Sequence, residues 1–248
     1  MDQDSYPVEE KWKHEHILCR LSPGFNADDI RTDFPHLFHG EVPAVIYLRE
    51  IGEKDTIITR GRQGALILSS QQVAVLDFDF DEAQGASFSA VEYEQMVRDG
   101  VQALCNSYRL YKTAGGYRLI LTDKLHSVSE FNFSLFETIG ADKLYNCLCL
   151  RYNHFRARLT PKPFRLGLAP LCEIISTNIY LGNMHAAPFD VKCLYQDWVS
   201  TYTECIHRYS VCQLIAAKTP EDFVIPDEIQ AFVALHDGFT LNSDTRLA

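Results

Sequence analysis

Asp77, Asp79 and Asp81 alternate with Phe78 and Phe80 at the end of an apolar run that begins at Val73. Strand side chains point to opposite faces with period two, so the three acids share one face. Leu76, Phe78 and Phe80 share the other, which must be the buried one. Carboxylates crowded on one face repel each other and cost stability unless something positive offsets them. Mg²⁺ or Mn²⁺, hard cations that prefer carboxylate oxygen, would do so. Asp77, Asp79 and Asp81 are therefore candidate metal ligands, with Asp77 and Asp79 the candidate catalytic pair. The alternative is a strand ending in an acidic turn, where Asp81 and Glu82 cap the following helix.

Two further groups of residues could carry chemistry. Lys112 and Arg118 flank Gly115 and Gly116 in the link Lys112-Thr-Ala-Gly-Gly-Tyr-Arg118. Glycines there allow unusual backbone angles and close approach, and exposed N–H groups can hold phosphate. Gly-Gly is also an ordinary hairpin turn. The segment 151–165 carries Arg151, Arg156, Arg158, Lys162 and Arg165 with no acid among them, and interleaves Tyr152, Phe155 and Phe164. Guanidinium groups grip phosphate through paired hydrogen bonds, and aromatic rings can stack bases. Pro161 and Pro163 keep the segment extended. The competing reading is that its arginines pair with surplus surface acids.

Several elements must position these groups. Strands are expected over 17–21, 42–48, 56–59 and 65–68, which makes the N-terminal third largely antiparallel. The acidic strand is followed by a helix over 89–104, with Ser89 and Glu92 forming a capping box. Strands over 108–111 and 119–122 enclose the glycine link. A helix is expected over 133–150, weakened by Gly140, then a strand over 173–181. A long helix from Phe189 to about Lys218 and a short one over 225–235 follow, and the last ten residues read as disordered. The simplest organisation is one α+β domain with a mixed, largely antiparallel sheet and packed helices. Residues 1–70 are its strand-rich N-terminal part, 71–182 its core and 183–248 a C-terminal helical extension.

A net charge of −10 argues against a general nucleic-acid coat, though not against a local basic groove. No apolar run reaches the roughly 18 residues of a membrane span. The first residues lack the basic and apolar stretches of a signal peptide, so a cytoplasmic protein is expected. Its eight cysteines are dispersed, consistent with reduced thiols in the core. Cys205, His207 and Cys212 are a weaker zinc alternative.

The ordered set resembles the archaeo-eukaryotic primase and primase-polymerase superfamily over roughly residues 73–180. Asp77-Phe-Asp79 is similar to its first acidic motif. Gly115-Gly-Tyr-Arg-Leu-Ile-Leu121 is similar to its second, and Arg156-Ala-Arg-Leu-Thr-Pro-Lys162 to a basic segment often found before its third. The resemblance implies an RRM-like core and metal-dependent nucleotidyl transfer on nucleic acid. Asp77 and Asp79 would hold two Mg²⁺ or Mn²⁺ ions that activate a terminal hydroxyl and stabilise leaving pyrophosphate. Lys112, Gly115, Gly116 and Arg118 would meet the triphosphate, and Arg156, Arg158, Lys162 and Arg165 the triphosphate or the template backbone. Arg118 stands where the family has a nucleotide-contacting His, and Glu173 and Asp190 are the candidates for its third acid. Those departures support a second reading, a non-catalytic descendant that binds nucleic acid, nucleotide or a protein partner. A third is a phosphohydrolase with Asp77 as nucleophile and Asp79 as acid, since Leu76-Asp-Phe-Asp79 looks like the start of a haloacid dehalogenase.

Overall fold

A computed structural model describes residues 42–51, 54–80, 89–175, 188–241 and 246–248. The fold is α+β, and among the described residues its strands form two four-stranded sheets and one two-stranded pair. The strand expected over 17–21 and the third acid of the alternating run, Asp81, lie outside the described residues.

The first sheet is antiparallel, in the order β1 (Val42–Ile51), β2 (Lys54–Arg60), β3 (Leu66–Ser70), β7 (Phe155–Arg158). The second has the order β4 (Val75–Asp79), β6 (Gly116–Leu121), β5 (Tyr108–Thr113), β9 (Cys212–Lys218), again with antiparallel neighbours. The arginine-bearing strand β7 thus joins the N-terminal strands, and β9 adds a C-terminal strand to the acidic sheet.

The alternation in β4 holds. Leu76 and Phe78 are fully buried, while Asp77 is half-buried and Asp79 exposed. Helix α1 (Ala90–Leu104) covers the apolar face of this sheet with Tyr93, Val97 and Val101. Its capping box is formed as expected, with Glu92 N–H donating to Ser89 Oγ at 3.3 Å and Ser89 N–H to Glu92 Oε2 at 2.7 Å.

Four expectations are corrected. The hairpin is tighter than its sequence suggests: Thr113 pairs with Gly116, leaving Ala114 and Gly115 as the turn and putting Arg118 within the strand. The helix over 133–150 is two pieces, α2 (Phe133–Glu137) and α3 (Lys143–Tyr152), because Gly140 takes φ +94° and Asp142 starts a new helix as N-cap. Leu171–Ile174 is a short helix, α4, rather than the start of a strand, and 176–187 lie outside the described residues. The long helix α5 (Phe189–Ile206) stops well before Lys218; short β8 (Tyr209–Ser210) follows it, and then β9 pairs with β5. An apolar run such as 211–217 suits either period, and the free edge of β5 decides it.

The last helix, α6 (Asp227–Thr240), is longer than expected. The extreme C-terminus is ordered where described: β10 (Arg246–Leu247) pairs with β8, and buried Ala248 donates its N–H to Ser210 O at 2.9 Å. Among the described residues no helix is long and apolar enough to cross a membrane.

The two sheets meet where β4 approaches β7. Tyr145 of α3 closes both edges: its hydroxyl lies 3.0 Å from Val75 O and 2.8 Å from Arg156 O, and it accepts the Arg156 N–H. Asp142 N–H caps Asp77 O at 2.8 Å. Carbonyls of an edge strand are thereby satisfied without another strand.

Candidate functional site

Asp77 and Arg118 are register partners across β4 and β6. Arg118 Nε donates to Asp77 Oδ1 at 2.9 Å and Nη2 to Oδ2 at 3.3 Å, a two-pronged pair. The guanidinium is buried, with 1% of the side chain exposed against 22% for Asp77. Its remaining nitrogen, Nη1, donates to Arg158 O at 2.8 Å and lies 3.8 Å from Cys212 Sγ and 3.5 Å from His236 Nε2. Burial opposes the charge of Arg118, but Asp77 and smaller contributions outweigh it and hold its pKa above the ordinary value. Arg118, placed by sequence in a loop that meets triphosphate, is instead an internal counter-ion that ties the two sheets together.

His236, fully buried on α6, has its pKa lowered by burial, despite its 3.0 Å contact with Asp237. Asp237 also receives Tyr111 O–H at 2.8 Å and Arg109 Nη2 at 2.7 Å. This polar network behind Arg118 was missed in sequence, since its members come from β5 and α6 and share no local pattern.

The open side of the site is set by Asp79. Burial by its crowded surroundings, then Asp77, then Asp142, raise its pKa, while Lys162 and Arg158 pull it down. Asp142 is thus the third acid beside the pair. Glu173 and Asp190, the sequence candidates, are exposed residues of α4 and α5. Asp142 fell inside the single helix expected over 133–150 and drew no reading of its own; in the structure its carboxylate caps α3 by accepting Leu144 N–H at 2.8 Å.

Opposite the acids stand Arg158, Lys162 and Arg165. Arg158 lies on β7; Lys162 caps a 3₁₀ turn over Pro163–Leu166, and Arg165 lies within it. Helix α5 holds both ends of the connecting segment. Tyr202 O–H reaches Thr160 Oγ1 at 2.7 Å and Trp198 Nε1 donates to Ala169 O at 2.9 Å. All three cations have lowered pKa values. Burial is the first cause in each; for Arg158 the charges of Arg118 and Arg165 add to it, and for Lys162 those of Arg158 and Arg165. Arg158 Nε and Arg165 Nη1 are buried and have no hydrogen-bond partner among the described residues.

The glycine turn completes this wall. A Cβ on Gly115 would come 3.1 Å from Arg165 Nη2 and 3.9 Å from Asp79 Oδ1, so the turn lies against the cations. Gly116, at φ +153°, has no room for a side chain: a Cβ would sit 1.8 Å from Phe78 O.

Other sequence candidates lie elsewhere. Lys112 shares its register row with Tyr117 and Phe78, on the α1 face of the sheet, and binds Glu94 at 3.2 Å. Arg156 stacks on Tyr152, its guanidinium carbon 5.2 Å from the ring centroid, and burial lowers its pKa to about 10. Phe155, one of the interleaved aromatics, is fully buried core and cannot stack a ligand.

Among the described residues, which leave out Asp81, the donor set does not fit a two-metal centre. Both oxygens of Asp77 are engaged by Arg118, and Asp142 is occupied as a cap. Around them Arg118, Arg158, Lys162 and Arg165 set four cations against the carboxylates of Asp77, Asp79 and Asp142. A dication would add to that excess, whereas an anion would relieve it. Among the described residues no group of three or more His, Cys, Asp or Glu could hold a metal ion. The thiols of Cys205 and Cys212 likewise form no such group, and Cys212 is buried beside Arg118 with its pKa pushed up to about 11. No family profile, curated protein or solved structure matches the chain.

Proposed function

We propose that this chain binds a phosphate-bearing ligand between the Gly115 turn and the cations Arg158, Lys162 and Arg165, and that it does so as a binding domain. One observation carries the reading: two guanidinium nitrogens, Arg158 Nε and Arg165 Nη1, are buried without a hydrogen-bond partner among the described residues, inside a cluster of like charges. A buried unpaired donor costs about 1–3 kcal/mol, and more when charged. An oxyanion supplies the missing acceptors and the missing charge together.

Metal-dependent nucleotidyl transfer, the activity implied by the primase-like motifs, needs Asp77 free to bind metal, and here Arg118 holds it. An aspartyl nucleophile at Asp77, as a phosphohydrolase requires, meets the same obstacle. The cations alone read phosphate, so a nucleotide, a nucleic-acid strand or an inorganic polyphosphate would each satisfy them.

Calorimetric titration with inorganic triphosphate in EDTA tests the proposal. The wild type is expected to bind, and Arg158→Gln with Arg165→Gln to weaken binding by about tenfold or more. A folded wild type that binds no triphosphate sinks it.

A further inference from the structure

From the ring of Phe164 we infer that the ligand carries an unpaired nucleobase, and that this base stacks on Phe164 while its phosphate meets Arg158, Lys162 and Arg165. The inference rests on the phosphate-binding reading and deepens it from phosphate to nucleoside phosphate, supplied by a free nucleotide or by single-stranded nucleic acid.

Phe164 is 56% exposed although its neighbour Pro163 and the segment's anchor Leu171 are buried. A single exposed apolar side chain is ordinary on a protein surface. This one differs in how it is held and in what surrounds it. Pro163 opens the 3₁₀ turn with its backbone preset, and Gly167 closes it at φ +74°, donating its N–H to Phe164 O at 3.2 Å. The whole segment hangs between the Tyr202 and Trp198 hydrogen bonds of α5. The ring is therefore presented on fixed backbone at little further entropic cost on binding.

Its neighbours are the phosphate-binding cations themselves. Lys162 Nζ and Arg165 Cζ each lie 5.8 Å from the ring centroid. The same Arg165 extends Nη2 toward the Gly115 turn and leaves Nη1 unpaired. A phosphate gripped by Arg165 thus brings the base of the same nucleotide over the ring. Stacking on an aromatic side chain tolerates any base, because every base offers a π-face. The arrangement accordingly favours a nucleoside phosphate without selecting its sequence.

Three probes on the full chain test this: inorganic triphosphate, ATP, and a single-stranded oligodeoxynucleotide. Each is titrated in EDTA against wild type, Phe164→Ala and Phe164→Trp. Phe164→Ala is expected to leave triphosphate affinity within about twofold and to lower that of ATP, the oligonucleotide or both by roughly tenfold. Phe164→Trp is expected to restore it. Loss confined to ATP identifies free nucleotide as the source, and loss confined to the oligonucleotide identifies a strand. If triphosphate binds but Phe164→Ala changes no probe, or weakens all three alike, base stacking is overturned while phosphate binding stands. If triphosphate does not bind at all, the underlying reading fails first.

Discussion

The carboxylate of Asp77 and the guanidinium of Arg118 face each other across β4 and β6 at 2.9 and 3.3 Å, with Arg118 almost wholly out of solvent. Removing one member of such a pair strands the other charge. Asp77→Leu is expected to destabilise the fold by about 3 kcal/mol, and Arg118→Met by a similar amount. The double substitution Asp77→Leu with Arg118→Met is expected to recover much of that loss, since neither charge is then buried alone. Urea denaturation of the set measures the coupling directly. Additive losses would show that the two residues do not act as a pair.

The adjacent glycines are expected to respond differently. At Gly116 an added methyl meets the Phe78 carbonyl, which is backbone and cannot move aside without breaking the β4–β6 ladder. Gly116→Ala should cost about 3 kcal/mol or more in denaturation experiments. At Gly115 the methyl meets the movable end of Arg165. Gly115→Ala should fold normally, and titration should show weaker triphosphate binding.

Asp79 gives a pH signature. Although the residue as a whole is exposed, its carboxylate is partly shielded from water, and this together with Asp77 and Asp142 raises its folded pKa, so the native state holds the proton more firmly than the unfolded chain. The resulting cost is absent below about pH 4, the ordinary Asp value, develops as pH rises through the raised folded value, and is full above it. Asp79→Asn should therefore be more stable than wild type at neutral pH, with the gain fading toward about pH 4. Equal stability differences at both ends of that window would contradict the shift.

Lys112 provides a control on the geometry. It points to the α1 face and pairs with Glu94, so Lys112→Ala should leave triphosphate affinity within about twofold of wild type, while Lys162→Ala should reduce it severalfold. Matching losses would place Lys112 in the site after all.

Much of this arrangement was legible in the sequence because it is local. Period-two alternation set the faces of β4, the capping box set the start of α1, and the acid-free run 151–165 marked the cationic wall. What escaped depends on contacts made at long range. Arg118 looked like a loop residue because the link is three residues shorter on its side than expected, with β6 starting at Gly116, and only pairing with Asp77, 41 residues earlier, defines its role. Asp142 lay unremarked within the helix expected over 133–150, and it reaches the site only because that helix breaks and its backbone N–H bonds Asp77 O. The strand β9 was hidden by an apolar run that continues the helix period of α5.

Asp79 also separates an anion site from a metal site, because its substitution moves the two in opposite directions. The measurement is triphosphate affinity of wild type and Asp79→Asn by calorimetry in EDTA. Removing a carboxylate beside Lys162 and Arg165 should tighten binding by about threefold or more, the scale of one partly screened charge interaction. Binding that is lost in Asp79→Asn, or that appears only when Mg²⁺ or Mn²⁺ is supplied, would contradict a metal-free phosphate site.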